Sequence, residues 1–195
     1  MDWIELAAAI ISAVAVWLTV KRKPLCWPIG LASVIIYAWV FIDARLYSDA
    51  LLQGFFGIMI VYGWVRWMQH LDSGGRVRIA RLPVARAGVH IALGAVGAVV
   101  LGYVMQRWTD ASLPWLDASL TSFSLVGQWW EAKRHTAAWW MWIAVDTIYV
   151  GEYIYKDLNI TAVLYVGFLA MAAAGLYQWK KADEQSTSTT DPTTS

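Results

Sequence analysis

The chain has 195 residues, and its 15 Lys and Arg against 14 Asp and Glu give a net charge of +1, which does not indicate a nucleic acid partner. Hydrophobic residues make up 59% of the chain and charged residues 15%, whereas a soluble domain carries about 25% charged residues. This composition excludes an ordinary soluble domain and predicts an all-α membrane protein. The single cysteine, Cys26, excludes an internal disulfide.

Seven apolar runs are each long enough to cross about 30 Å of hydrocarbon as a helix. We therefore predict seven transmembrane helices, near residues 3–20, 25–42, 50–68, 86–106, 113–130, 137–155 and 160–179. The connection from His70 to Arg86 is the longest and the one that could hold a little structure. The polar tail after Lys181 is rich in Thr and Ser and is predicted to be disordered.

Basic residues concentrate in every second connection and at the C-terminal end. They are Lys21, Arg22 and Lys23, then Arg76, Arg78, Arg81 and Arg86, then Lys133 and Arg134, and last Lys180 and Lys181. Since Lys and Arg are enriched on the cytoplasmic side, this alternation predicts an outside N-terminus and a cytoplasmic C-terminus. We expect a multi-pass protein of a bacterial inner membrane.

The chain matches itself at an offset of 112 residues, with roughly 17 identities over about 57 aligned positions. Trp27 falls on Trp139, for example, and Gly63 on Gly175. The repeat predicts two parallel three-helix units joined by one linker helix, a 3+1+3 arrangement whose axis lies along the membrane normal. The predicted boundaries are 1–69 for the first repeat, 70–112 for the cytoplasmic loop and linker helix, 113–181 for the second repeat and 182–195 for the disordered cytoplasmic tail.

Asp146 lies near the middle of the sixth predicted helix. A carboxylate at that depth costs about 2.5–3.5 kcal/mol on insertion scales, so it indicates a functional site. Trp142 and Tyr149, four residues before it and three after it, lie on the same helix face and could hold a cationic ring beside the carboxylate. The structural alternative is a protonated Asp146 that bonds a neighbouring helix. Trp139 and Trp140 are interpreted as part of the interfacial aromatic belt.

Six further polar side chains are candidates for substrate contacts: Gln53, Gln128, Tyr37, Ser124, Tyr165 and Asn159. The amides of Gln53 and Gln128 each offer a donor and an acceptor, and hydrogen bonding between helices explains them equally well. Tyr37 is the repeat mate of Tyr149, and the two could line one path. Asn159 begins the last helix, where a helix cap is its simpler role.

Other classes of protein fit these residues less well. The sequence contains no set of His, Cys, Asp and Glu with metal-binding spacing, so we expect neither a metal nor another cofactor. A serine protease needs a Ser–His pair at depth, and a retinal receptor needs a lysine within the last helix, which has none before Lys180. Glu131 is interpreted as a surface ion-pair partner, and Glu152 as lying near the outer headgroups. We therefore do not expect an enzyme.

Several motifs carry a resemblance to a known family. Trp27-Pro28-x-Gly30, IIYAWVFIDARLYSDALLQ and YGWVRW lie in the first half, and QWWEAKR, W-x-x-W-x-x-V-D and GLYQWKK in the second. Together they resemble the PnuC-type vitamin transporters over residues 3 to 181. The resemblance implies a SWEET-like fold and import of nicotinamide riboside by facilitated diffusion, with alternating access and trapping by a cytoplasmic kinase.

The resemblance leaves the choice of substrate open, because relatives carry thiamine or riboflavin instead. A proton-coupled carrier that titrates Asp146 is a further alternative. The expected partners are a small vitamin and the lipid bilayer, with no nucleic acid, and a homo-oligomer stays open.

Overall fold

The computed structural model describes residues 3–43, 47–109, 112–157 and 159–188. Within these ranges the chain forms seven helices: α1 Trp3–Val20, α2 Cys26–Asp43, α3 Tyr47–Met68, α4 Val84–Trp108, α5 Pro114–Ala132, α6 Ala137–Tyr155 and α7 Asn159–Ser188. The predicted helices are confirmed, with most ends within about three residues. The tail differs, because α7 continues to Ser188 and residues 182–188 are therefore helical. The rest of the predicted tail, 189–195, lies outside the described residues.

Two helices are long and apolar enough to span a membrane by length and composition alone, over Val84–Trp108 and Thr161–Gln185. Two shorter apolar helices cover Ala9–Val20 and Cys26–Val40. Only 17% of each long span is buried within the protein. An apolar helix with so much uncovered surface is suited to lipid rather than to the core of a soluble domain.

Contacts divide the chain into two compact units. The first contains Met1–Ile79, Ala132–Arg134 and Tyr177–Ser195, and the second contains Ala80–Glu131 and His135–Leu176. This division differs from the boundaries predicted from the repeat, since α4 joins the second unit and the end of α7 joins the first. The 3+1+3 repeat describes a symmetry of the chain, whereas the two units are defined by contacts, and the repeat stays a prediction.

The core of the first unit is built around tryptophans. A Cβ on Gly63 would come within 3.0 Å of the Trp27 ring, so only glycine allows α3 to approach α2 so closely at this point. Trp67 is fully buried and packs edge-on against Trp27, with ring centroids 5.3 Å apart. Trp179 lies 5.8 Å from Trp67 and donates its indole N–H to the carbonyl oxygen of Thr19 at 3.2 Å.

The second unit repeats this packing at the offset of 112 residues. A Cβ on Gly175 would come within 3.0 Å of the Trp139 ring, as at the matched pair in the first unit. Trp139 is only 2% exposed, whereas Trp140 is 56% exposed. The interpretation of Trp139 as a belt residue is therefore wrong, because its ring fills the space that a glycine leaves on α7. Trp140 keeps the exposure expected of a belt residue.

The turns after α1 and α5 also match at this offset. Arg22 and Arg134 have positive φ angles of 58° and 67°, in the left-handed region that glycine usually occupies at helix ends. The N–H of the following residue bonds back to a carbonyl five residues earlier in both turns, from Lys23 to Leu18 and from His135 to Trp130. This bond pattern ends each helix with a Schellman motif.

The two arginines of these turns bind the backbone of the loop between α3 and α4. Arg22 donates to the carbonyl of Val77 at 3.3 Å, and Arg134 donates to the carbonyl of Arg78 at 3.0 Å. Val77 is fully buried, and its N–H donates in turn to the carbonyl of Arg22 at 2.9 Å. Partial burial lowers the pKa of both guanidinium groups. The side chains thus stabilise a backbone conformation that costs about 1–2 kcal/mol for a residue with a Cβ.

The loop itself contains a small ordered turn, as its length suggested. Asp72 accepts backbone N–H bonds from Gly74 and Arg76, both at 2.9 Å, and Leu71 pairs with Val77 in an antiparallel bridge. The bonds from Arg76 and then Gly74 lower the pKa of the Asp72 carboxyl. Gly75 adopts the φ of 65° that closes this turn.

Candidate functional site: a polar seam on helices α5 and α6

Helix α5 carries a row of polar side chains along one face. The row consists of Asp117, Thr121, Ser124, Gln128 and Glu131. The spacing alternates between four and three residues, which keeps every member on the same side of an α-helix. Apolar residues occupy most positions between them, so the row divides an otherwise apolar helix.

Helix α6 carries a matching row of aromatic and polar side chains. Trp142, Asp146, Tyr149 and Tyr153 follow at intervals of four, three and four residues and share one face. Pro114 begins α5, a position that proline favours. Thr136 precedes α6, although its side chain makes no capping bond there.

Three contacts set the register of these two rows. The Trp142 indole N–H donates to Glu131 Oε2 at 3.0 Å, and the Tyr149 and Ser124 side chains lie close enough to interact. Lys156 Nζ lies 3.8 Å from Asp117 Oδ1. Each step of seven residues along α6 matches a step of seven residues back along α5, as expected for two antiparallel helices. We call the contact between the two rows the polar seam.

Asp146 lies in the middle of the polar seam. It is 7% exposed, and its carboxyl has no hydrogen-bond donor among the residues that the structure describes. A buried carboxylate without a partner is costly, because desolvation is not repaid by a bond or an opposite charge. The position therefore suits a group that receives its partner from a bound molecule.

Three tyrosines form a cluster on the side of Asp146 away from Trp142. Tyr149 and Tyr153 stack at 5.7 Å between ring centroids, and Tyr165 of α7 lies 5.0 Å from the first and 4.9 Å from the second. Phe168 extends the cluster by packing edge-on against Tyr165 at 5.5 Å. We call Tyr149, Tyr153 and Tyr165 the tyrosine cluster. Their faces and hydroxyls offer both stacking and hydrogen bonding.

The structure brings together six of the nine residues that the sequence predicts for the site. Trp142, Asp146, Tyr149, Gln128 and Ser124 all lie on the polar seam. Tyr165 joins through the tyrosine cluster. Asn159 is exposed at the first residue of α7, a position that fits a helix end. Gln53 and Tyr37 belong to the first unit, where both are partly buried, and their part in the site stays a prediction.

Two acidic residues near the seam have contacts that the sequence did not predict. Glu131 accepts the Trp142 indole N–H, and Glu152 is only 6% exposed. The surface ion pair of Glu131 and the place of Glu152 near the outer headgroups stay predictions, and both contacts depend on a neighbouring helix that the sequence of one helix does not show. The signal that could have found them is the seven-residue spacing of Asp117, Ser124 and Glu131, which runs against that of Trp142 and Tyr149.

An open groove of about 480 Å³ lies elsewhere in the second unit, between α4 and α5. Its lining is mostly apolar and includes Leu93, Gly94, Val126 and Trp129, with His90 at one end. His90 accepts the indole N–H of Trp130 at 2.9 Å. The α5 residues of the groove lie about a third of a turn from the seam, so the groove does not share its polar groups. Among the described residues no group of His, Cys, Asp and Glu could hold a metal ion.

Comparison with known proteins identifies the family. Residues 2–181 match the model of the nicotinamide mononucleotide transporter family. The chain belongs to this family. A protein of such a family crosses a membrane, and its relatives are transporters rather than enzymes.

Two curated relatives span most of the chain. The riboflavin/roseoflavin transporter RibM of Streptomyces davaonensis is 24% identical over 180 residues, which cover 91% of this chain and 84% of the relative. The nicotinamide riboside transporter PnuC of Neisseria mucosa is 25% identical over 191 residues, which cover 92% and 73%. The crystal structure of the vitamin B3 transporter PnuC has the same fold, with a TM-score of 0.78 at 22% identity over 94% of this chain and 83% of that one. These relatives support a vitamin transporter.

Proposed function

We propose that the protein imports nicotinamide riboside across a bacterial inner membrane. The substrate has a flat cationic pyridinium ring and a ribose with several hydroxyls. The observation that carries the proposal is the buried carboxyl of Asp146, which has no donor among the described residues and lies between Trp142 and the tyrosine cluster. A cation on an aromatic face beside a carboxylate gains up to about 2 kcal/mol from the ring when it is desolvated.

The remaining polar groups of the seam fit the ribose. Gln128 offers an amide donor and acceptor, and the neighbouring Ser124 and Tyr149 hydroxyls could each bond a substrate hydroxyl. Gln53, Tyr37 and Tyr165 are proposed as further contacts. Import then proceeds by facilitated diffusion through alternating access of the two repeats, with the N-terminus outside, and a cytoplasmic kinase traps the product.

A riboflavin carrier is the second candidate. The relative RibM supports it, since its match covers 84% of that transporter. The tyrosine cluster could stack an isoalloxazine ring, but a neutral ring leaves Asp146 without a partner. Thiamine has a cationic thiazolium ring, which could pair with Asp146 as the pyridinium ring of nicotinamide riboside could. Only a binding measurement distinguishes these two substrates.

Calorimetry of the purified protein against nicotinamide riboside, thiamine and riboflavin tests the choice. We expect nicotinamide riboside to bind and Asp146→Ala to weaken it by about 10- to 100-fold, as for a lost hydrogen bond to a charged group. Asn159→Ala is the matched control and should leave the affinity unchanged, because its side chain is exposed. Binding of riboflavin alone, or equal affinity of both variants and the parent, would contradict the proposal.

Uptake into liposomes tests the mode of transport. Facilitated diffusion predicts that uptake of labelled nicotinamide riboside stops when the internal concentration equals the external one. It also predicts no change when a pH gradient is imposed or collapsed with an ionophore. Accumulation driven by an inward proton gradient, lost in Asp146→Asn, would replace facilitated diffusion with proton coupling.

A further inference from the structure

Three charged side chains meet at the end of the polar seam opposite Trp142. Lys156 bonds Glu152 and lies 3.8 Å from Asp117, so one ammonium group faces two carboxyl groups. The side chain of Glu152 is 3% exposed, and its Oε2 is buried with no hydrogen-bond partner among the described residues. Glu152 therefore has a buried oxygen that the protein itself leaves unsatisfied.

One ammonium group serves two carboxyl groups here. Burial makes an unpaired charge costly, so a single cation paired with these carboxyl groups is the favoured state. The bond to Glu152 raises the pKa of Lys156 above its usual value, and the lysine therefore stays charged. Its side chain is 29% exposed and follows the last residue of α6, so it can swing away from the carboxylates into solvent.

Aromatic faces lie beside these carboxylates. Tyr153 lies near enough to Glu152, Lys156 and Asp117 to interact with all three. Its ring contacts Tyr149 and Tyr165 in the tyrosine cluster, with interplanar angles of 13° and 49°. Aromatic faces attract organic cations, and the attraction is stronger when the cation is desolvated. A flat organic cation holds its hydration shell weakly, so carboxyl groups beside such rings favour it over a metal ion. The same side chains would stack a neutral ring without forming an ion pair with it.

We propose that Asp117, Glu152 and Tyr153 form a second, outlying site for flat organic cations, in which the positive ring of the substrate replaces the ammonium group of Lys156. This inference rests on the proposed function and adds a selection step to it. The bound ring satisfies Glu152 Oε2 and stacks on Tyr153, while Asp146 stays available for the next position along the seam. The site thus selects cationic vitamins over neutral ones before they reach Asp146.

A pair of ligands with nearly the same shape and different charge tests the site. Nicotinamide riboside carries the pyridinium cation, and its reduced dihydropyridine form is neutral. We expect Glu152→Gln to weaken binding of the cationic form by about tenfold or more and to leave the neutral form within about twofold. Lys156→Gln should strengthen binding of the cationic form several-fold, because the competing ammonium is gone, and Lys23→Gln at the far turn is the control.

The direction of the lysine effect decides the matter. If Lys156 serves only to hold α6 in place, its removal should weaken binding of both ligands. If the substrate displaces Lys156, its removal should strengthen binding of the cationic ligand alone. Equal changes for the two forms in Glu152→Gln, or a loss of cation affinity in Lys156→Gln, would overturn this inference while leaving the proposed function intact. Failure of the parent protein to bind either form would overturn both.

Discussion

The hydrogen bond from Trp142 to Glu131 is expected to hold the Trp142 ring in the orientation that binds the substrate. Trp142→Phe keeps an aromatic ring and removes the N–H that donates to Glu131 Oε2 at 3.0 Å. A bond to a charged group contributes about 1.5–3 kcal/mol net, and its loss leaves Glu131 without this donor. Since Gly127 lies against the same indole, the smaller ring also gains freedom to turn. We expect lower thermal stability and weaker binding together.

A double-mutant cycle separates this bond from the size of the ring. Trp142→Phe, Glu131→Gln and the double variant are purified in detergent, and each is measured by thermal unfolding and by calorimetry with nicotinamide riboside. A direct bond predicts a coupling energy of about 0.5–3 kcal/mol in stability. Holding one aromatic side chain in place is worth about 0.5–1.5 kcal/mol to a ligand, so the affinity should fall by about two- to tenfold.

Trp140→Phe is the matched control, because this ring lies two residues away and is 56% exposed. It should lower neither stability nor affinity by a comparable amount. If the effects of Trp142→Phe and Glu131→Gln add without coupling, the bond contributes nothing. If Trp142→Phe and Trp140→Phe behave alike, Trp142 belongs to the membrane belt and not to the site.

Three further changes test the fold around the site. Gly175→Ala should lower the free energy of unfolding by about 1–3 kcal/mol, because its Cβ overpacks the site. Gly167→Ala should cause no such loss, because nothing lies within 4 Å of its added Cβ. Thermal unfolding of the two variants tests this difference. Arg134→Ala should be less stable than Arg134→Gly by about 1 kcal/mol, because both lose the guanidinium but only glycine accepts a φ of 67° without strain; equal stabilities would argue against strain in this turn. The lowered pKa of Asp72 means that its bonds stabilise the loop above pH 3.8 and are lost as the pH falls through the lowered value. The protection factor of the Arg76 amide hydrogen, which compares its exchange with the intrinsic rate at the same pH, should therefore fall in acid, and a pH-independent protection factor would contradict this.

Hydropathy and charge predicted the seven helices because the bilayer sets both their length and the side on which basic residues lie. The offset of 112 residues also predicted pairs that prove to share a local structure. Trp27 with Gly63 and Trp139 with Gly175 form the same close contact, and Arg22 and Arg134 the same left-handed turn. The repeated sequence was sufficient to predict these matched contacts, because the residues of each contact have the same spacing in both repeats.

The site was predicted only in part, for a physical reason. Asp146 stands out because a carboxylate within an apolar run has one simple explanation. Glu131 and Glu152 lie near helix ends, where the same side chain is cheap if it reaches solvent and functional if it is buried, and the sequence of one helix cannot tell these apart. The difference depends on what the neighbouring helix places opposite, namely Trp142 for Glu131 and Asp117 for Glu152. Such a contact becomes readable only when the register of two helices is known.

The backbone pairing of Arg22 with Val77 has a consequence for a chain that is cut. The exposed turn at residues 73–75 precedes Val77, whose side chain is buried and whose N–H and carbonyl both bond Arg22. A protease that cleaves at Gly74 or Gly75 leaves these two bonds in place, and they then join Arg22 on the upstream piece to Val77 on the downstream piece. The two fragments therefore keep a shared anchor, and a gene divided at this turn should yield pieces that reassemble when they are made together.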